Sequence, residues 1–405
     1  MKLAEFTGFV VGNPPPSLGG RYFLFVKIQT ACGITGWGEI YAGSFAPHLV
    51  IALAEDVYGR YLDGQDPHHI ERFMRRALGS GFSQRPDPTM MGIISGLEMA
   101  CWDIIGKAAG QPCYQLLGGQ VQDQLRTYTY LYPDDTEDAG QFYADPIRAG
   151  EQAAKAVADG FTAVKFDPAG QYTVYDGRMP DLEAISRSAA FCREVRSAVG
   201  DKADILFGTH GQFTAAGALR MAQAIAPYDP LWFEEPCPPD NVEVLGQIAS
   251  RSPVPISTGE RLCGLVEFAA AMQAGAAILQ PNLGRAGGLL EGRKIASMAA
   301  MRHQLIAPHL YCGPIVAAAN IQLATAIPNF LILESIKKMD GFHAELLVEP
   351  LHWESGYILP SKKPGLGVEI NEEVALAHAY EGQNLHLEMG QNPYDHIRDR
   401  YFPGG

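Results

Sequence analysis

Basic residues are scarce in this sequence and form no runs. Its 405 residues include 31 Lys and Arg against 45 Asp and Glu, which gives a net charge of −14. Proteins that bind nucleic acid through its phosphates carry clustered basic residues. The charge therefore argues against nucleic acid as a partner, although a pocket with a few cations or a divalent metal still suits a small anionic molecule.

Long apolar runs and paired cysteines are also missing. No segment approaches 18 unbroken apolar residues, and Met1–Phe6 lacks the basic and apolar regions of a signal peptide. We expect a cytoplasmic protein with no membrane partner. The seven cysteines are scattered, and none are spaced as C-x-x-C, which indicates reduced thiols rather than a zinc site or a redox pair.

Apolar residues are abundant, and the sequence pattern divides the chain into distinct regions. Hydrophobic residues make up 47% of the sequence, enough for a large domain and a smaller one. Residues 1–125 read as an α+β cap, with a strand at Tyr22–Gln29 and helices near 46–60, 66–78 and 91–109. We expect residues 346–405 to pack back on this cap.

From about Thr127 the sequence alternates short β-branched or aromatic runs with Ala-rich helical patterns. This alternation predicts parallel strands covered by helices, and eight such units over residues 126–345 favour a closed (β/α)8 barrel of the TIM type. An open doubly wound sheet is the alternative, but no strand is followed by G-x-G-x-x-G. The strand candidates are Tyr128–Leu131, Thr162–Phe166, Asp204–Phe207, Leu231–Phe233, Pro255–Ser257, Ala277–Leu279, Leu305–Ala307 and Phe330–Leu333.

Carboxylates and histidines are concentrated at the ends of these strands, where barrel enzymes place their catalytic groups. From Glu234 onward they recur at intervals of about 25 residues, one βα unit each. Several carboxylates aimed at one space repel one another unless protons or a hard cation such as Mg²⁺ neutralise them. The set comprises Lys165, Asp167, His210, Glu234, Glu235, Glu260, Asn282, His309 and Glu334.

Seven ordered motifs together resemble the enolase superfamily. The similarity covers nearly the whole chain and is greatest to the mandelate racemase/muconate lactonizing enzyme branch, in particular to its sugar-acid dehydratases, such as those acting on D-galactonate and D-mannonate. The motifs are Gly33–Glu39, Gly96–Ile104, Trp232–Pro236, Ser257–Arg261, Ile278–Asn282, Ala307–His309 and Pro364–Ile370.

This resemblance implies a Mg²⁺-dependent dehydration of a sugar acid. Glu234 and Glu260 match the metal ligands, and His309 matches the base that removes the proton next to the substrate carboxylate. Glu334 matches the acid that hydrogen-bonds that carboxylate, and His210 matches the histidine that protonates the departing hydroxyl. Mg²⁺ in this family stabilises the ene-diolate that forms. A homo-oligomer is expected from the resemblance alone.

Two positions depart from the family pattern. Gly208 stands where the third-strand metal ligand is an Asp, and Asn282 stands where an Asp orients the catalytic histidine. We expect Asp167 to supply the missing metal ligand, although it also fits the first position of an Asp167-Pro168 turn. His210 as a nitrogen ligand is a second possibility. Lys165 is expected to be a cation near the site that holds a substrate carboxylate or lowers the pKa of a neighbouring group.

Long connections are candidates for an active-site lid. Residues 167–180 and 12–21 are rich in Gly, Tyr and Asp or Pro, and loops of this length commonly cover substrate. Arg21, Tyr132 and Tyr172 are the predicted substrate contacts there. Two other functions stay open: an epimerase or cycloisomerase that shares the ene-diolate step, and a non-catalytic sugar-acid binder, which Gly208 and Asn282 favour.

Overall fold

The computed structural model describes residues 1–82, 84–85, 87–134 and 137–391. Two compact units account for them. Unit 1 contains Met1–Thr129, Gly259–Ala269 and Leu279–Leu387, and unit 2 contains Tyr130–Thr258, Ala270–Ile278 and the described residues from Glu388 onward. Two of the boundaries between the units fall inside parallel strands, between Thr129 and Tyr130 and between Ile278 and Leu279. Within the described ranges, no helix combines the length and the apolar composition needed to cross a membrane.

The N-terminal part of unit 1 is an antiparallel sheet covered by helices. Strands β1 (Leu3–Gly12), β2 (Tyr22–Thr30) and β3 (Thr35–Ile40) pair in that order, with Val26 opposite Gly8 and Gly38. The central strand is apolar and largely buried because its Tyr, Phe, Leu, Val and Ile side chains suit a pleated surface with both edges paired. The predicted strand at Tyr22–Gln29 is confirmed and runs one residue further.

Three helices complete the predicted cap: α1 (Pro47–Tyr61), α2 (Ile70–Gly79) and α3 (Pro88–Ala109). Helix α3 begins three residues earlier than predicted because Asp87 caps it, accepting hydrogen bonds from the amides of Thr89 and Met90. It ends at Gly110, which takes the left-handed conformation with φ of 63°. Helix α2 begins four residues later than predicted, after a turn in which Asp66 accepts from the amide of His68.

The parallel strands of unit 2 are β5 (Ala163–Phe166), β6 (Asp204–Phe207), β7 (Trp232–Glu234) and β8 (Ile256–Thr258). They pair in that order, with Lys165 opposite Leu206 and Glu234 opposite Ser257. A helix follows each strand and covers the sheet. The helices of this unit are α5 (Ala139–Phe142), α6 (Pro146–Asp159), α7 (Leu182–Val199), α8 (Ala215–Ile225) and α9 (Val242–Ala249).

The remaining parallel strands are β4 (Leu125–Tyr130), β9 (Ile278–Leu279), β10 (Leu305–Ile306) and β11 (Leu333–Ser335), and they belong to unit 1 except for Tyr130 and Ile278. Strand β11 pairs parallel with β4, placing Glu334 opposite Tyr128, and a bridge joins Ile306 to Phe330. The chain also forms helices α4 (Cys113–Leu116), α10 (Gly264–Ala274), α11 (Leu283–Ala286), α12 (Gly288–Ala300), α13 (Pro314–Ala326), α14 (Phe342–Glu345) and α15 (Glu372–Ala377), and the hairpin β12 (Trp353–Glu354) and β13 (Tyr357–Ile358).

The predicted (β/α)8 barrel is confirmed, and the doubly wound alternative is wrong. The eight strands lie where the sequence places them, mostly within one or two residues. The last differs most: Phe330 forms only an isolated bridge, and the strand itself begins at Leu333. All seven cysteines are free thiols, as expected.

Buried carboxylates fasten cap and barrel segments within unit 1. Glu98 on α3 accepts hydrogen bonds from the amides of Leu289 and Leu290, which open α12. Glu39 on β3 likewise accepts from the amides of Gly313 and Val316 at the start of α13. The first amides of a helix have no partner inside it, so an acceptor from elsewhere stabilises the helix end.

The C-terminal segment also contacts the cap elements of unit 1. Asp103 accepts from the amides of Trp37 and Leu366, and Lys107 lies 2.5 Å from Glu369. An isolated antiparallel bridge joins Val11 to Ala379. These bonds fix the segment after the last barrel strand against residues that precede the first one.

Candidate active site

His309 is the centre of a buried cluster in unit 1. It follows β10 after Ala307-Pro308, and its backbone is held by the carbonyl of Pro281 and the side-chain amide of Asn320. Its Nε2 lies 3.4 Å from a carboxylate oxygen of Glu260 and 3.8 Å from one of Glu334. The structure therefore brings together three of the residues that the sequence singles out.

Glu334 is fixed by its place in β11. The Oε2 atom that lies near His309 also accepts a hydrogen bond of 2.8 Å from the amide of Leu310. The side chain is almost fully buried. A carboxylate with one oxygen already held by a backbone amide has a defined orientation, which suits a group that must meet a substrate in one geometry.

Asn282 orients the other side of the His309 ring. It caps the short helix α11, and its Oδ1 accepts a 2.9 Å hydrogen bond from the amide of Gly284. Its Nδ2 lies 2.9 Å from Nδ1 of His309 and 3.6 Å from the sulfur of Cys312. The residue expected to orient the catalytic histidine thus contacts it directly.

An aromatic group that the sequence did not single out packs on this cluster. The ring of Tyr41 lies 6.2 Å from that of His309, and the guanidinium of Arg285 lies 4.2 Å from the Tyr41 ring centre. Burial raises the pKa of the Tyr41 phenol. Tyr41 directly follows β3 and Arg285 lies in the Gly-rich segment after Asn282, so proximity to two family motifs was the available signal.

The tail contributes a second unpredicted residue, His386. Its ring lies 5.2 Å from that of Tyr41 and 5.5 Å from that of Tyr22. Burial lowers the pKa of His386 to about 4, with the charges of Arg285 and Arg21 adding to the shift, although the carbonyl of Gly19 opposes it. Nothing in the local sequence marks this position, because the contact joins segments more than 340 residues apart.

His210 forms a separate group in unit 2. Its Nδ1 lies 2.9 Å from a carboxylate oxygen of Asp167, and the ring of Tyr172 lies 4.6 Å from its own. Asp167 is nearly buried, whereas about a quarter of the His210 side chain is exposed. The sequence placed Asp167 at a metal and Tyr172 at the substrate, and the structure places both beside His210.

Lys165 and Glu234 form a buried ion pair in unit 2. The Lys165 ammonium lies 2.5 Å from Oε1 of Glu234, and the indole of Trp232 donates to Oε2 at 3.0 Å. A side chain added at Gly208 would place its Cβ 3.2 Å from Cε of Lys165. The lysine stem therefore occupies the space beside the position where the family has a third carboxylate.

These contacts do not fit the predicted three-carboxylate metal site. Asp167 is engaged with His210, both oxygens of Glu234 have partners, and Gly208 has no side chain. Among the residues that the structure describes, no group of three or more His, Cys, Asp or Glu side chains is arranged to hold a metal ion.

Of the remaining predicted residues, Arg21 lies in a candidate lid segment, whereas Tyr132 follows β4 (Leu125–Tyr130). Arg21 donates to the carbonyl of Leu385 at 2.9 Å within unit 1. In unit 2 the ring of Tyr132 lies 5.3 Å from that of Tyr130, and Thr173 bridges to Gly390. Both lid segments are thus bonded to the tail of the chain, each within its own unit.

Models of known families match most of the chain. The mandelate racemase/muconate lactonizing enzyme N-terminal domain matches residues 17–118, and the enolase C-terminal domain-like model matches residues 148–374. The chain belongs to the mandelate racemase/muconate lactonizing enzyme family. This confirms the resemblance drawn from the motifs, together with the N-terminal cap and (β/α)8 barrel of the enolase superfamily.

Characterised relatives in this family include sugar-acid dehydratases. A D-galactonate dehydratase from Ralstonia nicotianae is 34% identical over 364 residues, which cover 87% of this chain and 90% of that protein. A D-xylonate dehydratase from Haloferax volcanii is 31% identical over 388 residues, which cover 94% of this chain and 89% of that protein. Both are hydro-lyases.

Solved structures of the family superpose closely on this chain. A mandelate racemase/muconate lactonizing enzyme-like protein from a Roseovarius species is 52% identical, with a TM-score of 0.95 and coverage of 97% of this chain and 99% of that one. A mandelate racemase/muconate lactonizing enzyme from a Jannaschia species is 51% identical, with a TM-score of 0.94 and coverage of 96% and 100%.

Proposed function

We propose that this chain is a hydro-lyase that removes water from a sugar acid, an aldonate or aldarate, to give a 2-keto-3-deoxy acid. One observation carries the proposal: relatives matched along about nine-tenths of both chains are D-galactonate and D-xylonate dehydratases. The buried His309 and the buried carboxylates at the strand ends supply groups suited to that reaction.

The reaction begins at the carbon next to the substrate carboxylate. Removing its proton leaves charge that the enzyme must stabilise, and the hydroxyl on the next carbon then departs as water. His309 and His210 are the proposed groups for proton transfer and hydrogen bonding. Lys165 is the proposed cation near the site, and Glu334 is the proposed contact to the substrate carboxylate.

Magnesium is the cofactor that the family resemblance predicts, since enolase superfamily members generally bind Mg²⁺. Mg²⁺ in such sites stabilises the ene-diolate. Because the described residues do not fit a site built from Glu234, Glu260 and Asp167, the proton transfers are proposed for the chain's own side chains.

Substrate recognition is proposed for Arg21, Tyr132 and Tyr172. Tyr172 carries the strongest case because its ring lies against that of His210, so a hydroxyl near His210 would meet the phenol as well. Arg21 donates to the carbonyl of Leu385, and its positive charge is the feature proposed to meet a substrate carboxylate.

A screen tests this proposal. The purified chain is incubated with D-galactonate, D-xylonate and their stereoisomers, with and without Mg²⁺, and 2-keto product is measured. We expect one or a few acids to be converted, and a His210→Asn variant to lose the activity. His303→Asn, at an exposed turn, is the matched control and should retain it. Conversion of no acid by the wild type under either condition would contradict the proposal.

A cytoplasmic location, which the scattered reduced cysteines favour, and a homo-oligomer, which the family resemblance implies, are also proposed. Light scattering on the purified chain measures the mass directly: a multiple of 43.9 kDa supports a homo-oligomer, whereas 43.9 kDa contradicts it.

A further inference from the structure

Arg285 is a partly buried cation in unit 1 with no carboxylate partner in the part of the chain that the structure describes. Its guanidinium carbon lies 4.2 Å from the centre of the Tyr41 ring. Nε donates to the carbonyl of Tyr41 at 3.3 Å, and Nη1 donates to the carbonyl of Glu260 at 3.4 Å. These contacts fix the planar group without neutralising its charge, so the guanidinium is oriented to bind an anion.

The remaining nitrogen of the guanidinium, Nη2, borders open space. A Cβ atom built on Gly43 would meet Nη2 of Arg285 at 4.0 Å and, among the described residues, no nearer atom outside its own chain neighbours. Atoms of a bound molecule therefore fit between the backbone of Gly43 and the guanidinium.

His386 adds a polar ring beside the same tyrosine. Its ring lies 5.2 Å from that of Tyr41, edge to face, and the side chain is almost fully buried. The carbonyl of Gly19 is close to the ring, but neither ring nitrogen forms a hydrogen bond of normal geometry with a described residue. A buried ring N–H without an acceptor is costly, and an oxygen of a bound molecule would supply the acceptor.

Positive charge is concentrated around this ring. Burial lowers the pKa of His386, and the charges of Arg285 and Arg21 lower it further. Arg21 also donates to the carbonyl of Leu385, the residue directly before His386. Two guanidinium groups thus lie near one neutral imidazole, an arrangement that attracts a negatively charged group.

The cluster in unit 1 therefore has two ends of opposite charge. Glu260 and Glu334 lie 3.4 Å and 3.8 Å from Nε2 of His309. The ring of Tyr41 contacts both ends, because it lies 6.2 Å from the His309 ring and also beneath the guanidinium of Arg285. A sugar acid whose reacting carbon is at His309 would meet the cationic end with another part of its chain.

Resting on the proposed function, we propose that Arg285, with His386 and Arg21, forms a subsite for a second carboxylate of the substrate. The chain then prefers aldarates, which carry a carboxylate at each end, over aldonates, which end in a hydroxymethyl group. A hydroxymethyl group brings no charge to the guanidinium, and charge-assisted hydrogen bonds are stronger than neutral ones. Arg285 binds substrate in this assignment and takes no part in proton transfer.

Matched substrates test the subsite in the wild type. Galactarate and D-galactonate, D-glucarate and D-gluconate, and xylarate and D-xylonate share their hydroxyl configurations within each pair and differ only at the last carbon. In a converted pair, we expect kcat/KM for the diacid to exceed that for the monoacid by about 100-fold. Equal values in every converted pair would overturn the subsite and leave the proposed function standing.

Replacement of Arg285 tests its role. Arg285→Met removes the charge and keeps a side chain that packs on Tyr41, so we expect kcat/KM for the diacid to fall about 100-fold, mainly through KM, and that for the monoacid to fall far less. Arg285→Lys keeps the charge and should retain part of the preference. Arg293→Met, which removes another arginine bonded to a backbone carbonyl, is the control. Equal losses for both acids in Arg285→Met would show a structural role and overturn the subsite.

Two further substitutions test where the second carboxylate binds. Gly43→Leu fills the space beside Nη2 and should lower the preference for the diacid, whereas Gly43→Ala leaves room and should keep it. His386→Phe keeps an aromatic ring, removes both nitrogens and should weaken diacid binding about 10-fold. An unchanged preference in both Gly43→Leu and His386→Phe would overturn this placement.

Calorimetry separates a failure of the subsite from a failure of the proposed function. If the wild type converts no sugar acid, the same pairs are titrated into it as binding probes. Tighter binding of a diacid than of its monoacid, lost in Arg285→Met, supports the subsite although the proposed function fails. Equal binding within every pair, or no binding at all, overturns the subsite as well.

Discussion

At the scale of single residues, Lys165 and Glu234 in unit 2 form an ion pair in which each buried charge depends on the other. The ammonium and the carboxylate are 2.5 Å apart, and both side chains are almost fully buried. Removal of one member leaves the other charge buried without its partner, which costs more than the pair itself contributes.

We therefore expect Lys165→Met to lower the free energy of unfolding by about 3–5 kcal/mol, measured by urea denaturation. The double variant Lys165→Met/Glu234→Gln, which removes both charges and keeps an acceptor for Trp232, should recover more than half of that loss. Lys155→Met, which breaks an exposed pair with Asp134, is the control and should cost less than about 1 kcal/mol. Equal losses in the single and double variants would contradict the buried-charge explanation.

The residue at position 208 decides how well the chain can hold a divalent cation. A carboxylate there adds the ligand that the family has and this chain lacks, and charged oxygen ligands raise Mg²⁺ affinity. By calorimetry, we expect Gly208→Asp to bind Mg²⁺ at least about 10-fold more tightly than wild type. Gly208→Asn, which has nearly the same shape without the charge, is the matched control. Unchanged affinity in Gly208→Asp would show that position 208 does not contribute to a metal site.

At the scale of elements, helix α12 depends on a carboxyl group from α3. Glu98 accepts from the first two amides after Gly288 and also from the indole of Trp102. Burial raises the pKa of Glu98 from 4.5 to about 8, against the lowering effect of these hydrogen bonds. The folded chain therefore binds this proton more tightly than the unfolded chain does.

This shift has a defined sign. The stability that the bound proton contributes is fully present below about pH 4.5 and is lost as pH rises toward about 8. We expect the stability of the wild type relative to Glu98→Gln to decline between pH 5 and pH 8, measured by urea denaturation at fixed pH values. Glu243→Gln, in the exposed first turn of α9, should show no such decline. A constant difference across that range would contradict the raised pKa.

The elements themselves were largely predictable because local patterns determine them. Short β-branched and aromatic runs marked all eight strands, and the Asp87-Pro88 pair explains why α3 starts earlier than its apolar periodicity indicates. The contacts of the site were less accessible from sequence. The contact of Asn282 with His309 joins residues 27 positions apart, and the places of Tyr41, Arg285 and His386 depend on packing between distant segments.

At the scale of the whole molecule, the thiols report on the integrity of the fold. Six of the seven cysteines are buried, and Cys32 is exposed at a turn of the cap. The hydrogen bond from Thr30 also lowers the pKa of Cys32, which favours the reactive thiolate.

We therefore expect one fast-reacting thiol in the native chain and seven after denaturation, counted with a thiol-specific chromogenic reagent. Cys32→Ser should remove the fast reaction and leave six thiols in the denatured chain. Two or more fast thiols in the native state would contradict the packing described for the six buried cysteines.

The proposed dehydration itself is tested most directly by proton NMR of the wild type with its converted sugar acid in D2O. The account predicts that the C2 proton signal disappears and that the C3 proton signal moves upfield because the C3 hydroxyl is lost. The product is a 2-keto-3-deoxy acid with one deuterium at C3. Exchange or inversion at C2 with the C3 hydroxyl retained would contradict it and identify an epimerase. An unchanged spectrum for every acid, with and without Mg²⁺, would contradict it as well and favour a sugar-acid binder.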